Sequence, residues 1–175
     1  MLTTRRVLET FKQLNISHVV GLPDNSTAAL FHELADDPDI YLITVTREGE
    51  AFATAAGLWI GGQNPLVLIQ NTGLLESGDA LRGTLTRMRI PVVVLVSYRG
   101  YKSLPTPAPE MLAPDDLSRR EVDSVATLLE PTLHAWNLPY ELVSDNSELE
   151  KIQAAYERAQ SEMRPTAVVI AETIR

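Results

Sequence analysis

The sequence predicts an α/β fold in which helices cover both faces of a mostly parallel sheet, a three-layer α/β/α sandwich. Strand-like and helix-like segments alternate along the chain, which is the pattern of repeated strand–helix–strand units. The segment from Val92 to Ser97 is apolar and largely β-branched on both faces, as expected for a central strand of a parallel sheet. The 175 residues contain neither an internal repeat nor a change of composition, so we expect a single domain over residues 1–175.

The elements expected in the first part of the chain follow from the spacing of apolar residues and from the turn residues between them. The helices repeat apolar residues every three or four positions, whereas the strands are short and bounded by glycine, proline or asparagine. The pair Gly61-Gly62 ends a helix that is unusually rich in small residues. The expected elements are a helix at 3–13, a strand at 18–22, a helix that ends at 34, a strand at 40–45, a helix at 49–60 and a strand at 66–69.

The second part of the chain continues this alternation but contains one long irregular stretch. A helix is expected from about Ser77 to Met88, and the strand from Val92 to Ser97 follows it. Between Tyr98 and Asp116, Gly100 and four prolines oppose regular structure, so we expect a long mobile loop. The loop leaves the carboxyl edge of the sheet, and we expect it to close as a lid over a ligand bound at that edge. A helical region follows, with Pro131 at the start of its second piece. The last expected elements are a strand at 140–143, a helix at 147–163 and a strand at 166–171.

Composition excludes several classes of function. The formal net charge of −8 argues against nucleic acid or an anionic membrane as a partner. No apolar run approaches the ~20 residues that cross a bilayer, and no signal-peptide core is present, so the cytoplasm is the expected location. The chain has no cysteine, and its three histidines lack metal-ligand spacing, so we expect no metal site within it. Walker, Gly-x-Gly-x-x-Gly and Gly-x-Ser-x-Gly motifs are also missing, so the sequence offers no phosphate cradle of its own.

The most informative stretch of the chain runs from Ile43 to Leu58. An apolar strand ends there in a polar turn that carries Arg47 and Glu48, and the small-residue helix follows at once. Ligands of open α/β sheets bind at the carboxyl ends of the strands, so Glu48 is a candidate proton donor or acceptor. The alternative is structural: Thr46 would be the N-cap, and Glu48 would stabilise the positive end of the helix. Residue types and spacing leave both interpretations open.

Five segments of the chain carry a family resemblance. They are Val20-Gly-Leu-Pro-Asp24, Val45-Thr-Arg-Glu-Gly-Glu-Ala-Phe-Ala-Thr-Ala-Ala-Gly57, Leu68-Ile-Gln-Asn-Thr-Gly-Leu74, Ile90-Pro-Val-Val-Val-Leu-Val-Ser-Tyr-Arg-Gly100 and Glu130-Pro-Thr-Leu-His-Ala-Trp-Asn-Leu-Pro-Tyr140. Together and in this order they resemble the pyrimidine-binding (Pyr) domain of thiamine-diphosphate enzymes. Within that superfamily the chain is most similar to the α subunit of sulfopyruvate decarboxylase and to the matching half of phosphonopyruvate decarboxylase. The resemblance extends over nearly the whole chain.

The resemblance implies thiamine diphosphate as the cofactor and Glu48 as its catalytic partner. In this superfamily a glutamate after the second strand hydrogen-bonds N1′ of the aminopyrimidine, and a glycine stands nine residues on, which here is Gly57. The cofactor then carries out the decarboxylation of a 2-oxo acid. Asn71, Thr72 and Gly73 follow the third strand, where the family approaches the pyrimidine ring, so they are candidate cofactor-binding residues. An ordinary strand-to-helix turn is the alternative interpretation of these three residues.

Three further residues are candidates for substrate contact. Pro23 and Asp24 resemble the substrate-side turn of the family, although a plain helix cap accounts for them as well. Arg99, after the fourth strand, could meet a substrate anion, and a solvent-facing arginine is the alternative.

The sequence departs from the related subunits just after the candidate residues Asn71, Thr72 and Gly73. Leu75 replaces a glycine, Glu76 replaces an amide, and Asp79 adds an acid nearby. The added negative charge would disfavour a sulfonate or phosphonate substrate.

The resemblance also implies a partner. The diphosphate and Mg²⁺ are held in this superfamily by a second domain, whose Gly-Asp-Gly motif with a downstream asparagine is missing here. We therefore expect a separate diphosphate-binding β subunit that holds the Mg²⁺, a hetero-oligomer with self-pairing of subunits, and an active site across the interface. The alternative is a non-catalytic α/β module, derived from that domain, that binds or regulates a partner. Glu48 favours the decarboxylase, whereas Leu75 and Glu76 leave room for the module.

Overall fold

The fold is known from a computed structural model that describes residues 1–104, 112–113 and 115–175. Within that part of the chain, six strands form one sheet in the order β2-β1-β3-β4-β6-β5, and every pair is parallel. The strands are β1 His18–Gly21, β2 Tyr41–Thr44, β3 Pro65–Gln70, β4 Val93–Ser97, β5 Tyr140–Val143 and β6 Thr166–Ile170. The predicted three-layer α/β fold is confirmed.

Helices cover both faces of the sheet. One layer consists of α1 Thr4–Gln13, α2 Ala28–Ala35 and α7 Glu150–Glu162. The opposite layer consists of α3 Glu48–Ile60, α4 Asn71–Glu76, α5 Gly78–Leu81 and α6 Ser124–Ala135. Each layer encloses its own apolar core against the sheet. No helix of the described residues is long and apolar enough to span a membrane.

The two cores explain why the central strands are apolar throughout. Alternate side chains of a strand point to opposite faces of a sheet. Val93 and Leu95 of β4 therefore pack with α1, α2 and α7, whereas Val94 and Val96 pack with α3 to α6. Every residue of β4 is buried. A strand in this position has no solvent face, which is the pattern that the sequence predicts for it.

One helix begins earlier than the sequence predicts. We expected the strand to end at 69 and the next helix to begin at about Ser77, but α4 begins at Asn71, directly after β3. The buried side chain of Asn71 accepts a hydrogen bond from the Thr72 amide (3.1 Å), which satisfies one of the amides left unpaired at a helix start. The helix breaks at Ser77, resumes as α5 and ends in a π-helical turn, Arg82–Thr86.

The prediction for Pro131 is also corrected. It does not begin a second helical piece but lies inside α6, which is continuous from Ser124 to Ala135. A proline in a helix interior removes one backbone hydrogen bond, here the one to the Thr127 carbonyl. Leu129 and Leu133 on either side are fully buried against the sheet, and their packing holds the helix together across the missing bond.

The predicted lid falls largely outside the described residues. It includes residues 105–111 and 114, so its mobility and closure stay predictions. Its two described ends form short 3₁₀ turns, Tyr101–Ser103 and Asp116–Ser118. The Asp123 amide donates to Ser103 Oγ (3.1 Å), which ties the first end to the start of α6.

The missing bond in α6 generates a stability prediction. Pro131→Ala restores an amide to the helix interior and removes the clash of the proline ring, and both effects stabilise the folded state. The same change makes the unfolded chain more flexible, which offsets part of that gain. We therefore expect the free energy of unfolding to rise by about 1–2 kcal/mol. Urea unfolding measures the change. Pro23→Ala, in an exposed turn, is the control and should give no gain. If Pro131→Ala also gives none, α6 already satisfies the Thr127 carbonyl in another way.

Candidate active site

Two helices begin next to each other at the carboxyl edge of the sheet. Helix α3 starts at Glu48, after β2, and α4 starts at Asn71, after β3, with only β1 between these two strands. A Cβ atom added to Gly73 would lie 2.2 Å from Glu48 Cγ and 2.3 Å from its Cδ and Oε1. The Glu48 side chain therefore lies directly against the backbone of α4. Only a glycine at position 73 permits this contact.

Glu48 is not the residue that caps its own helix. The N-cap is Arg47 rather than Thr46, and the amides of Thr46 and Arg47 donate to Glu50 Oε2 (3.0 and 3.3 Å). Hydrogen bonds from the Thr46 amide and hydroxyl hold the pKa of Glu50 below its ordinary value. Among the described residues, the half-buried carboxylate of Glu48 has no hydrogen-bond or ion-pair partner. Thr46 is therefore not the N-cap, whereas Glu48 does lie in the first turn of α3, where an acid stabilises the positive end of the helix.

Asn71, Thr72 and Gly73 form the first turn of α4, directly after β3. Asn71 is fully buried, and its Nδ2 donates to the Arg99 carbonyl oxygen (2.9 Å), so this side chain braces the exit of β3 against the exit of β4. Thr72 is exposed, and its hydroxyl donates to Gln70 Oε1 (3.1 Å). Of the three residues, Gly73 is the one in contact with Glu48.

Asp24 serves a structural purpose in the turn after β1. Its carboxylate accepts hydrogen bonds from the Ser26 amide (2.6 Å), the Thr27 hydroxyl (3.0 Å) and the Ser97 hydroxyl (2.7 Å). The turn is thereby fixed to the end of β4, two strands away. The neighbouring Pro23 is exposed at the same edge. Asp24 does not itself cap the helix, because the N-cap of α2 is Thr27, so these contacts assign Asp24 to holding the turn before that helix.

Arg99 lies at the carboxyl edge but on a different cleft from Glu48. Its Nε is 3.2 Å from Asp123 Oδ2, and the guanidinium group is more than half exposed. The cleft beside it has a volume of about 390 Å³ and is lined also by Ser26 and Lys102, whose ammonium group pairs with Glu172 at 2.7 Å. Neither Glu48 nor Gly73 lines this cleft. Both of its cations are paired with acids.

The acids that depart from the family pattern are also paired. Glu76 Oε1 lies 2.5 Å from Arg47 Nη2, and Asp79 Oδ1 lies 2.6 Å from Arg82 Nη2. These pairs are exposed, so they add little to stability, but each balances the charge of its acid. The unbalanced negative charge that we expected beside the site is therefore missing from this arrangement.

Sequence reasoning missed a cluster around Glu130 on α6. The Tyr140 hydroxyl donates to Glu130 Oε2 (2.7 Å), and the Tyr98 hydroxyl lies 3.1 Å from both Glu130 Oε1 and the Ala126 carbonyl oxygen. Burial and the neighbouring Glu130 raise the pKa of both tyrosines, so both stay protonated donors. A signal for Glu130 and Tyr140 was present in the sequence, since they are the first and last residues of one of the five resembling segments. The spacing of residues alone does not show that Tyr98 lies next to them.

The comparison with known families agrees with this geometry. Residues 1–123 match the family described as thiamine pyrophosphate enzyme, N-terminal TPP binding domain. The chain belongs to this family. Thiamine pyrophosphate is another name for thiamine diphosphate, so the resemblance drawn from the sequence is confirmed. The matched residues of this TPP-binding domain include Glu48, Gly73 and the other candidate residues.

Individual relatives of the domain are decarboxylases by name. The chain is 39% identical over 87 residues to a phosphonopyruvate decarboxylase of Streptomyces viridochromogenes, and the aligned stretch covers 50% of this chain and 22% of that protein. It is 30% identical over 100 residues to sulfopyruvate decarboxylase subunit alpha of Methanococcus maripaludis, 57% of this chain and 60% of that one. The same subunit of Methanocaldococcus jannaschii is 30% identical over 94 residues, with 54% and 56% covered. The match therefore spans between about a fifth and three fifths of these relatives.

The contact between Glu48 and Gly73 generates a structural prediction. In Gly73→Ala the three heavy atoms nearest the new methyl group are Cγ, Cδ and Oε1 of the Glu48 side chain, which can rotate away, so the free energy of unfolding should change by less than about 1 kcal/mol. The Glu48 carboxylate, however, must move from 2.3 Å to beyond the 3.4 Å at which ordinary contact begins. A crystal structure of the variant measures this displacement.

Gly83→Ala is the matched control, because a Cβ there has no heavy atom within 4 Å. It should leave Glu48 in place. A Gly73→Ala structure with Glu48 unmoved would show that the two helices are not held as tightly as described.

Proposed function

We propose that this chain is the pyrimidine-binding subunit of a thiamine-diphosphate-dependent 2-oxo acid decarboxylase, and that Glu48 contacts the aminopyrimidine of the cofactor. The observation that carries the proposal is the Glu48 carboxylate, which lies against the Gly73 backbone without a partner among the described residues. It is supported by membership of the TPP-binding family and by relatives whose names are decarboxylases.

The residues present fit one half of this cofactor. A ring nitrogen needs a hydrogen-bonding group that no protein donor already occupies, and Glu48 supplies such a group at the edge of the sheet. Gly73 leaves backbone, without side-chain bulk, beside that carboxylate. When bound, the cofactor supplies the electron sink for loss of carbon dioxide. The chain's own contribution is to hold the pyrimidine side and to share a proton with it at the Glu48 carboxylate.

Glu50 and Arg47 support this task without taking part in it. Because Glu50 accepts the hydrogen bonds of the helix start, Glu48 does not have to serve as the cap. Arg47 pairs with Glu76 of α4, which links the start of α3 to the end of α4. Of the other candidate cofactor residues, we assign Asn71 to bracing and Thr72 to the exposed rim of the site.

A second chain completes the proposed site. The sulfopyruvate decarboxylase relatives are named as alpha subunits, and we infer a diphosphate-binding β partner that holds the diphosphate and Mg²⁺. The outer face of α3 is suited to close packing, because Ala53 and Gly57 are exposed there and carry almost no side-chain bulk. We propose that this face meets the partner, in a hetero-oligomer in which subunits also pair with themselves.

The proposed substrate is a 2-oxo acid with a second anionic group, as in the names of the relatives. The balanced charges of Glu76 and Asp79 remove the objection that we raised to such a substrate. Arg99 is the candidate for contact with the anionic end, since it lies on a cleft at the carboxyl edge and could exchange Asp123 for a substrate anion. Pro23 and Asp24 shape the turn on the β1 side of that cleft.

The division of the cofactor site between two chains predicts the behaviour of this chain alone. Without a partner it should show no measurable binding of thiamine diphosphate in the presence of Mg²⁺, because the residues assigned here touch the pyrimidine half only. Isothermal titration calorimetry of the purified chain tests this expectation. Micromolar affinity in the isolated chain would contradict a divided site.

Replacing Glu48 tests the catalytic assignment. In the complex with the diphosphate-binding partner, Glu48→Gln should lower kcat by about 10²–10⁴-fold, because glutamine keeps the shape but cannot accept a proton in the same way. Carbon dioxide release from sulfopyruvate and phosphonopyruvate measures the rate. Glu50→Gln, two residues on, is the matched control and should lower kcat less than about tenfold while weakening the helix cap by about 1 kcal/mol. Equal losses in the two variants would mean that the wrong acid has been assigned.

A further inference from the structure

The exit of β4 is held firmly against the start of α6. Gly100 has a left-handed backbone (φ 84°), and a Cβ added there would lie 2.6 Å from Asp123 Cβ and 2.9 Å from Ala126 Cβ. The Asp123 carboxylate also pairs with Arg99, and the Asp123 amide donates to Ser103 Oγ. The segment that leaves β4 therefore contacts the first turn of α6 in two ways: its backbone packs there at Gly100, and its side chains Arg99 and Ser103 bond to Asp123.

Tyr98 extends this attachment one turn further along α6. It is the first residue after β4, it is 5% exposed, and its hydroxyl lies between the Ala126 carbonyl oxygen and Glu130 Oε1. The second oxygen of Glu130 accepts a hydrogen bond from the Tyr140 hydroxyl. Tyr140 is the first residue of β5, the last strand of the sheet on the side away from β2. One carboxylate thus receives two tyrosine hydroxyls, and only the Tyr98 hydroxyl belongs to the carboxyl edge where Glu48 lies.

The attachment continues from Tyr98 to the Glu48 contact. The carbonyl oxygen of the next residue, Arg99, accepts the hydrogen bond from the buried Asn71 side chain. Asn71 is the first residue of α4, and Gly73, two residues on, is the surface against which Glu48 lies. A shift of the β4 exit would therefore remove the acceptor of Asn71 and loosen the first turn of α4.

We infer that Tyr98, held by Glu130, is a positioning residue that fixes the first turn of α4 beneath Glu48. Its consequence for catalysis rests on the function proposed above, whereas its effect on α4 does not. Tyr140 has the same chemistry and the same carboxylate partner but leads to β5, so it provides a natural control. Removing either hydroxyl costs Glu130 one hydrogen bond, and only the loss at Tyr98 should reach the site.

The test compares Tyr98→Phe with Tyr140→Phe by amide hydrogen exchange of the purified full chain. In Tyr98→Phe we expect the amides of residues 71–76 to exchange about three- to tenfold faster than in the unchanged protein, because the loss of one hydrogen bond lowers the free energy of local opening by a corresponding amount. In Tyr140→Phe those amides should keep their rates, while the amides of β5 exchange faster. Urea unfolding of both variants corrects the rates for any difference in global stability.

Two results would overturn the inference. One is acceleration at 71–76 of the same size in both variants after that correction, which would indicate general loosening. The other is a Tyr98→Phe effect confined to residues 98–103. Neither result depends on cofactor binding, so failure of the proposed function would leave the exchange measurement interpretable. In the complex with the partner, the positioning role further predicts a lower kcat for Tyr98→Phe than for Tyr140→Phe at equal stability.

Discussion

The contact between the Glu48 side chain and the Gly73 backbone is the constraint on which the candidate site depends. It requires two helices to begin at the same edge of the sheet, and parallel strands β2 and β3 on either side of β1 provide that arrangement. It also requires α4 to start without a connecting loop, since a loop would move Gly73 away from Glu48. The buried Asn71 side chain makes the immediate start possible by pairing at once with its own helix and with the exit of β4. Placement of the acid is thus a property of the whole carboxyl edge.

Three acids close together in space have separate tasks around this contact. Glu50 accepts the amides at the start of α3, Glu76 pairs with Arg47, and Glu48 is left without a partner among the described residues. A helix start favours acids in general, and composition alone cannot say which of them serves the helix and which serves a ligand. The structure distinguishes them by hydrogen-bond partner, since Glu50 accepts two amides whereas Glu48 accepts none among the described residues, and the proposed role of Glu48 rests on that difference.

The fold could be predicted from the sequence because its signals are local, and the site only in part because its contacts are not. The apolar strand at Val92 to Ser97 and the small-residue helix after Glu48 are legible as patterns, and the family segments pointed to Glu48 and Gly73. The early start of α4 was missed because it depends on the Arg99 carbonyl, 28 residues away in sequence from Asn71. The continuity of α6 through Pro131 was missed because burial of its neighbours overrides the local preference of proline. The pairing of Glu130 with Tyr98 likewise joins residues that no periodicity connects.

The departures at Leu75 and Glu76 bear on whether the chain keeps the ability to use its acid. Successive residues of a helix are rotated by about 100°, so Leu75 points about 200° away from Gly73 on α4. In agreement, Leu75 and Glu76 line a groove of about 520 Å³ on the outer side of α4, together with Trp136 and Leu138, and neither Glu48 nor Gly73 lines it. The Leu75 substitution therefore changes a surface on the far side of the helix. Glu76, three residues after Gly73, lies on the same face as Gly73 and pairs with Arg47 beside Glu48. This weakens the case for a non-catalytic module as far as Leu75 suggested it, and the pairing of Glu76 with Arg47 leaves the Glu48–Gly73 contact in place.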